Sequence, residues 1–289
     1  MAGRQSEQDG EAAARVPSRA PSGGWLARVR DRLIDPSVQG VDPDSPGFAE
    51  ANRRALKDKP MLRRVFERVY GECREADERF FAGCPGRRLE IGSGGSFIGE
   101  VYPDVLTSDV KPLTFVDLVL RAEALPFRDR SLRAVYGINV LHHLPRPREF
   151  FRELERALHP GGGAIFIEPF HGPMARWLFP RLHAAERFDA GAPEWEARGP
   201  VGPASGANQA LSYIIFTRDR ARFEREFPSL ELVVDRPHTH LLYLASGGVS
   251  FRQLAPAGAT SLIAWLERSL APLDRWIALQ HTLVLRRRP

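Results

Sequence analysis

The sequence has only two cysteines, Cys73 and Cys84, and three lysines, Lys57, Lys59 and Lys111, among 289 residues. Two thiols have neither the number nor the spacing of a disulfide framework or a structural zinc site, so both read as free thiols of a reducing compartment. No apolar run approaches the roughly 18 to 20 residues needed to span a bilayer. Met1 to Gly24 lack the apolar centre of a signal peptide; rich in Ala, Gly, Ser, Arg and Glu, they predict a disordered tail. Together these absences predict a cytoplasmic protein with no transmembrane segment.

The formal charge is +5, yet the arginines alternate with Glu and Asp along most of the chain, which describes a solvated mixed surface. The one basic cluster, Arg286-Arg287-Arg288, reads as a soluble C-terminal end, so no nucleic-acid partner is predicted. Hydrophobic residues make up 43%, enough for the core of one large or two small domains.

The richest segment is Leu89-Glu90-Ile91-Gly92-Ser93-Gly94-Gly95-Ser96, an apolar strand running directly into a glycine-rich turn. Glycine tolerates positive φ and lacks Cβ, so a ligand can lie against backbone there while the next helix offers its first N–H groups. A dinucleotide fingerprint would need glycine at position 97, where Phe97 stands, and a P-loop would need Gly-Lys-Ser/Thr, which is absent.

Around that turn the pattern alternates. Leu62, Val65, Phe66, Val69 and Tyr70 recur at helical spacing after Pro60. Strands are predicted at Arg88 to Ile91, Val105 to Val110, Ala134 to Ile138, Ala164 to Glu168, Leu230 to Val234 and Thr282 to Leu285. Helices are predicted at Arg148 to Leu158, closed by Pro160-Gly161-Gly162, at Arg218 to Phe227 and at Ser261 to Leu270. Alternation of this kind predicts an α/β protein with a mostly parallel sheet, N-terminal helices and C-terminal lid insertions. The division is a tail over 1–24, a helical segment over 25–85 and a ligand-binding domain over 86–289, with insertions at about 171–212 and 238–278.

Five segments in order resemble the class I S-adenosylmethionine-dependent methyltransferases, in particular a type 11-like bacterial subgroup. The first is Glu-x-Gly-x-Gly from Glu90 to Gly94. Next comes Asp109 at the end of the second strand; in the family an acid here takes both ribose hydroxyls, as an acceptor-only carboxylate can. Ala122-Glu123-Ala124-Leu125-Pro126-Phe127 resembles the adenine-binding segment, with Leu125 and Phe127 offering an apolar slot. Asn139-Val140-Leu141-His142-His143-Leu144-Pro145 corresponds to the end of the fourth strand beside the methyl group. Arg156 to Gly162 matches the turn before the fifth strand. Weaker likeness to the subgroup covers Ser205 to Asn208, Phe216 to Pro228 and Ser246 to Ser250.

The resemblance implies a Rossmann-like, mostly parallel sheet of about seven strands with helices on both faces, and S-adenosyl-L-methionine as cofactor, held by Glu90, Gly92, Ser93, Gly94, Asp109, Ala122, Glu123, Leu125 and Asn139. Methyl transfer is an in-line displacement in which the protein mainly aligns the nucleophile, and a base helps where the acceptor carries a proton. His142 and His143 are the candidate catalytic residues, with Glu168, His171 and Tyr213 in the substrate pocket. Asn139 is not followed by the prolines of the base methyltransferases, which points away from nucleic acid. Trp177, Phe179, Trp195, Tyr213, Phe216 and Tyr243 suggest an apolar site for a small-molecule or lipid-like acceptor. His183, His238 and His240 show no metal-ligand spacing, so no metal is predicted. Oligomeric state is left open.

Three features depart from the family: Arg121 where an aspartate usually stands, Ser96 in place of a third glycine, and a short linker from Asp109 to Arg121. They motivate an alternative, a degenerate methyltransferase-fold module that binds a partner.

Overall fold

The computed structural model describes residues 32–182, 186–197, 202 and 206–289. The described residues from Ile34 to Pro289 form one compact unit, and the architecture that follows belongs to it. The tail at 1–24, the beginning of the helical segment at 25–31, His183 and Ser205 lie outside the described residues.

Helix α1 (Pro46–Asp58) is nucleated locally: Pro46 opens it and the hydroxyl of Ser45 accepts from the N–H of Phe48 at 3.3 Å. Helix α2 (Pro60–Phe80) buries the stripe that its periodicity marked, including Leu62, Val65, Val69, Tyr70 and Cys73. Strand β1 (Arg87–Ile91), the short α3 (Ile98–Val101), β2 (Val105–Asp109), β3 (Leu118–Val119) and β4 (Leu132–Ile138) follow. After them come α4 (Pro147–Ala157), β5 (Leu158–Pro169), α5 (Pro173–Leu182) and α6 (Leu211–Tyr213), which runs into a π turn. The chain closes with α7 (Arg220–Glu226), β6 (Leu230–His238), α8 (Leu241–Ser246), α9 (Thr260–Leu270), α10 (Asp274–Ile277) and β7 (Gln280–Arg287).

The seven strands form one sheet in the order β3-β2-β1-β4-β5-β7-β6. β3 to β5 pair in parallel, whereas β7 lies antiparallel between β5 and β6. Both faces are covered, as a parallel sheet requires. On one face Val135, Phe166, Leu283 and Leu285 pack against Phe150, Phe151 and Leu154 of α4 and against Phe216, Phe223 and Phe227. On the other, Tyr136, Ile165, Ile167 and Val284 meet Leu62, Val65, Val69 and Tyr70 of α2. Alternate residues of a strand point to opposite faces, so single strands feed both cores.

Asp77 of α2 fixes that helix to the sheet. Fully buried, it receives Nε of Arg88 at 2.5 Å, Nε of Arg133 at 2.6 Å and the hydroxyl of Tyr136 at 2.6 Å. Residues 34–85 therefore belong to the same compact unit as the sheet.

Three differences from the sequence reading have local causes. β5 begins at Leu158, because the Pro160-Gly161-Gly162 turn is absorbed as an irregularity in its pairing with β4. Between Asp109 and Arg121 the linker holds only the two-residue β3 and no helix. α1, α5 and α8 carry apolar patterns too short or too interrupted by Pro and Gly to stand out. Among the described residues no helix is long and apolar enough to cross a membrane.

Candidate functional site

The parallel strands end together around the glycine turn, the usual ligand position of an open α/β sheet. Ser93 and Ser108 bind the tips of β1 and β2: the N–H of Ser93 donates to the carbonyl of Ser108 at 2.8 Å, and the N–H of Ser108 donates to Oγ of Ser93 at 3.1 Å. Gly92 sits at φ 59°, and a Cβ there would come within 2.2 Å of Val140 Cγ2, so the loop after β4 closes directly on the glycine turn. Gly94, at φ 50°, donates its N–H to Oδ2 of Asp109 at 2.8 Å, while Oδ1 accepts from the N–H of Lys111 at 2.9 Å.

Beneath the turn lies Glu90, fully buried. Oε1 accepts from the hydroxyl of Ser96 at 2.9 Å, and Oε2 has no hydrogen-bond partner. Burial pushes its carboxyl up to about 7, with the nearby Asp109 charge adding to the effect and the Ser96 hydroxyl opposing it. Ser96 also accepts from the N–H of Ile98 at 3.2 Å and is 2.9 Å from the hydroxyl of Tyr70. In place of a third glycine, then, a hydroxyl closes the turn and starts α3.

At the end of β4, Asn139 adopts φ 52°, an unusual conformation for a residue with a side chain, and its Oδ1 accepts from Nε2 of Gln280 at 2.8 Å. The next turn hangs on one carboxylate. Glu168, at the end of β5 and fully buried, accepts the N–H groups of Val140 at 2.9 Å and Leu141 at 2.8 Å through Oε1, while Oε2 lies 2.5 Å from Nδ1 of His142. Burial disfavours a charged His142, but the charge and hydrogen bond of Glu168, with Glu186, lift it above the ordinary histidine value. Burial also acts to raise Glu168, and the His142 partner together with the two backbone donors brings it below the ordinary value. The two shifts run in opposite directions, and both favour the charged form of each partner. His143 moves the other way, to about 4, through burial and then the adjacent His142 charge.

Two cavities lie beside this turn, with Leu144 in the lining of both. The first, about 280 Å³, is lined by Gly92, Gly94, Asp109, Ala122, Glu123, Asn139 and His143 among the predicted residues. Three of its lining residues carry buried polar atoms without partners: Oδ1 of Asn52, Oε1 of Glu123 and Nδ1 of His143. Arg121 also lines it and lies 3.8 Å from Glu123. The second cavity, about 300 Å³, is lined by His142, Arg187, Trp195, Asn208 and Leu211, and Leu144 belongs to both.

The other predicted residues fall elsewhere. Glu90 and Ser93 support the turn from below without lining either cavity. Leu125 packs in the core with Phe127 at its margin, because Glu153 and Arg156 of α4 bind the backbone of that segment; Leu120 and Ala122 line the cavity instead. Glu168 lines neither cavity; its carboxylate holds the loop after β4. His171 stacks on Tyr213 at 4.1 Å and on Phe188 at 5.4 Å, which occupies both as packing. Of the insertion aromatics, Trp195 lines the second cavity; Phe216 lies in the core, Phe179 packs in a small satellite cluster and Trp177 is exposed.

Sequence reading missed the wall supplied by α1 and the segment before it, where Pro43, Phe48, Ala49 and Asn52 line the first cavity. It also missed Glu186, which lies beside His142 and His143. Neither carries a motif, and chain distance hides both.

A sheet ordered 3-2-1-4-5-7-6 with β7 alone reversed, and a glycine turn after β1 facing an acid at the end of β2, define a methyltransferase-type Rossmann-like fold. Residues 103–166 match the family described as "Methyltransferase domain". No curated protein matches its sequence. Among solved structures, geranyl diphosphate C-methyltransferase of Streptomyces coelicolor, in complex with magnesium, geranyl diphosphate and S-adenosyl-L-homocysteine, is 14% identical; 89% of each chain is covered, with a TM-score of 0.45. A SAM dependent methyltransferase of Archaeoglobus fulgidus is 14% identical over 77% of this chain and 94% of its own, TM-score 0.43. An S-adenosylmethionine dependent methyltransferase of Mesorhizobium loti is 16% identical over 74% and 96%, TM-score 0.40.

Proposed function

We propose that the first cavity holds S-adenosylmethionine and that the second holds a small-molecule or lipid-like acceptor, methylated by in-line displacement where the cavities meet. The observation that carries this reading is the shared wall at Leu144, with His143 in one cavity and His142 in the other.

The residues of the first cavity suit the cofactor. Asp109 retains lone pairs for the ribose hydroxyls after accepting its two backbone N–H groups. The unpartnered Oε1 of Glu123 suits the adenine amino group, taking the place of the family's aspartate at Arg121. The backbone of Gly92 to Gly94, above the acidic Glu90, suits the cationic methionine end. When bound, the cofactor supplies an electrophilic methyl group on a sulfonium, so the protein's task is alignment.

The acceptor side is built by the insertion at 171–212, whose residues Arg187, Ala192 to Ala197 and Asn208 wall the second cavity. Trp195 and Leu211 give it apolar surface, and Arg187 and Asn208 give it polar anchors, which fits an amphiphilic molecule. His142, pinned through Nδ1 by Glu168, presents only Nε2 to the junction. Isothermal titration of the protein with S-adenosylmethionine and S-adenosylhomocysteine, followed by mass spectrometry of extracts incubated with methyl-labelled cofactor, tests the reading. Micromolar binding and a labelled small product support it; failure to bind either cofactor form overturns it.

A further inference from the structure

The Glu168–His142 pair leaves an arrangement that alignment of a cofactor does not use. His142, His143 and Glu186 each place one ligand-capable atom within 4.8 Å of the others. Nε2 of His142 is 3.8 Å from Oε2 of Glu186. The two imidazoles lie side by side, ring centres 4.2 Å apart, and Nδ1 of His143 is buried with no hydrogen-bond partner.

We propose that His142, His143 and Glu186 form a binding site for a divalent transition-metal ion, zinc being the best match, with an open position toward the acceptor cavity. Two imidazoles and one carboxylate are a known ligand set for zinc sites that keep a fourth position free. Ideal tetrahedral bonds of about 2.0 to 2.1 Å put ligand atoms about 3.4 Å apart, so the cluster needs only a small contraction around an ion.

The surroundings match the demands of such a site. A ligating histidine normally gives its other ring nitrogen to a carboxylate or carbonyl, which fixes the tautomer and aims the free nitrogen. Glu168 does this for His142, and it is itself held by the N–H groups of Val140 and Leu141. Glu186 is held in turn by Gln209, whose Nε2 donates to Oε2. The side chain of Gln209 is buried, and its Oε1 has no partner. The ion-binding site stands on geometry alone. Only the role of its open position, taking an oxygen of a hydroxyl- or carboxylate-bearing acceptor, rests on the methyl-transfer reading above.

The test uses full-length, tag-free protein stripped with a chelator and titrated with Zn²⁺ and Co²⁺. One ion per chain should bind, and Co²⁺ should give the intense visible absorption of a four-coordinate site. His142→Ala and Glu186→Ala should abolish that spectrum, Glu168→Gln should weaken affinity about 10- to 100-fold, and the control His159→Ala should leave both unchanged. Circular dichroism and S-adenosylmethionine titration accompany every variant, so loss of fold is not mistaken for loss of a ligand. Absence of saturable binding, or stoichiometric binding that survives both His142→Ala and Glu186→Ala, would overturn the site. Metal binding without cofactor binding would sink the methyl-transfer reading and leave the metal site standing.

Discussion

Asp109 and Gly94 are joined across fifteen residues by a 2.8 Å hydrogen bond from the glycine N–H to Oδ2. One carboxylate therefore shapes the glycine turn and faces the cavity. Asp109→Ala should weaken S-adenosylmethionine binding about 10- to 100-fold, the loss of one or two hydrogen bonds to a charged group at about 1.5 to 3 kcal/mol each. Asp109→Asn keeps the shape but loses the charge and should fall between. Calorimetric titration checks both, and an alanine variant that binds as tightly as the parent would refute the ribose assignment.

Gly95 offers a steric test of the α1 wall. A Cβ at this position would meet the backbone nitrogen of Arg53 at 2.5 Å, and a backbone atom cannot step aside as a flexible side chain can. Gly95→Ala should push α1 from the glycine turn, costing about 1 to 3 kcal/mol of stability. Cofactor affinity should fall with it, since Asn52 and Phe48 line the same cavity. Denaturant unfolding and titration measure the two effects; a variant with unchanged affinity would show that α1 does not shape the cofactor site.

Much of the central fold was legible because α/β alternation and the glycine turn are local signals. The stripe of α2, the apolar runs of β1, β4 and β5 and the motif order all depend on neighbours in sequence. What was hidden depends on distance. β7 inserts between β5 and β6, a choice made by pairing Ile165 with Val284 and Leu285 with Leu232, which no local pattern encodes. At the site, Gly92, Gly94, Asp109, Ala122, Glu123, Asn139 and His143 come together as a cavity wall, because the motifs lie at strand ends. Leu125 looks the same in sequence as a cavity residue, yet the hydrogen bond from its N–H to Glu153 turns the segment inward. Glu168 reads as a site residue from its position at the end of β5; it is buried behind the cavities, where its carboxylate meets His142.

Asp77 separates stability from function. It is buried beneath Arg88, Arg133 and Tyr136, near the ends of β1 and β4 opposite the glycine turn. Removing it leaves two arginines without their buried partner, and breaking such a pair costs about 3 to 5 kcal/mol. Asp77→Ala should therefore unfold at lower denaturant concentration while the folded fraction binds cofactor with unchanged affinity. A large loss of affinity in the folded variant would tie α2 to the site more closely than the hydrogen bonds indicate.

Glu90 gives the clearest pH signature. Its carboxyl is raised from an ordinary 4.5 to about 7 by burial, with the Asp109 charge adding. A raised value in the folded state means that the folded protein binds more protons than the unfolded chain between those two pH values. The contribution to stability is then fully present below 4.5 and is lost as pH rises through about 7, amounting to about 3 kcal/mol. Glu90→Gln should flatten that slope and be more stable than the parent at pH above 7. Cofactor binding runs the opposite way: a cationic ligand above the turn favours ionised Glu90, so affinity for S-adenosylmethionine should rise with pH through the same window as a proton is released. Titrations at neutral pH in buffers of different ionisation enthalpy count that proton. Glu90→Gln should remove it, and proton release that persists in this variant would show that another group, not Glu90, senses the charge of the cofactor.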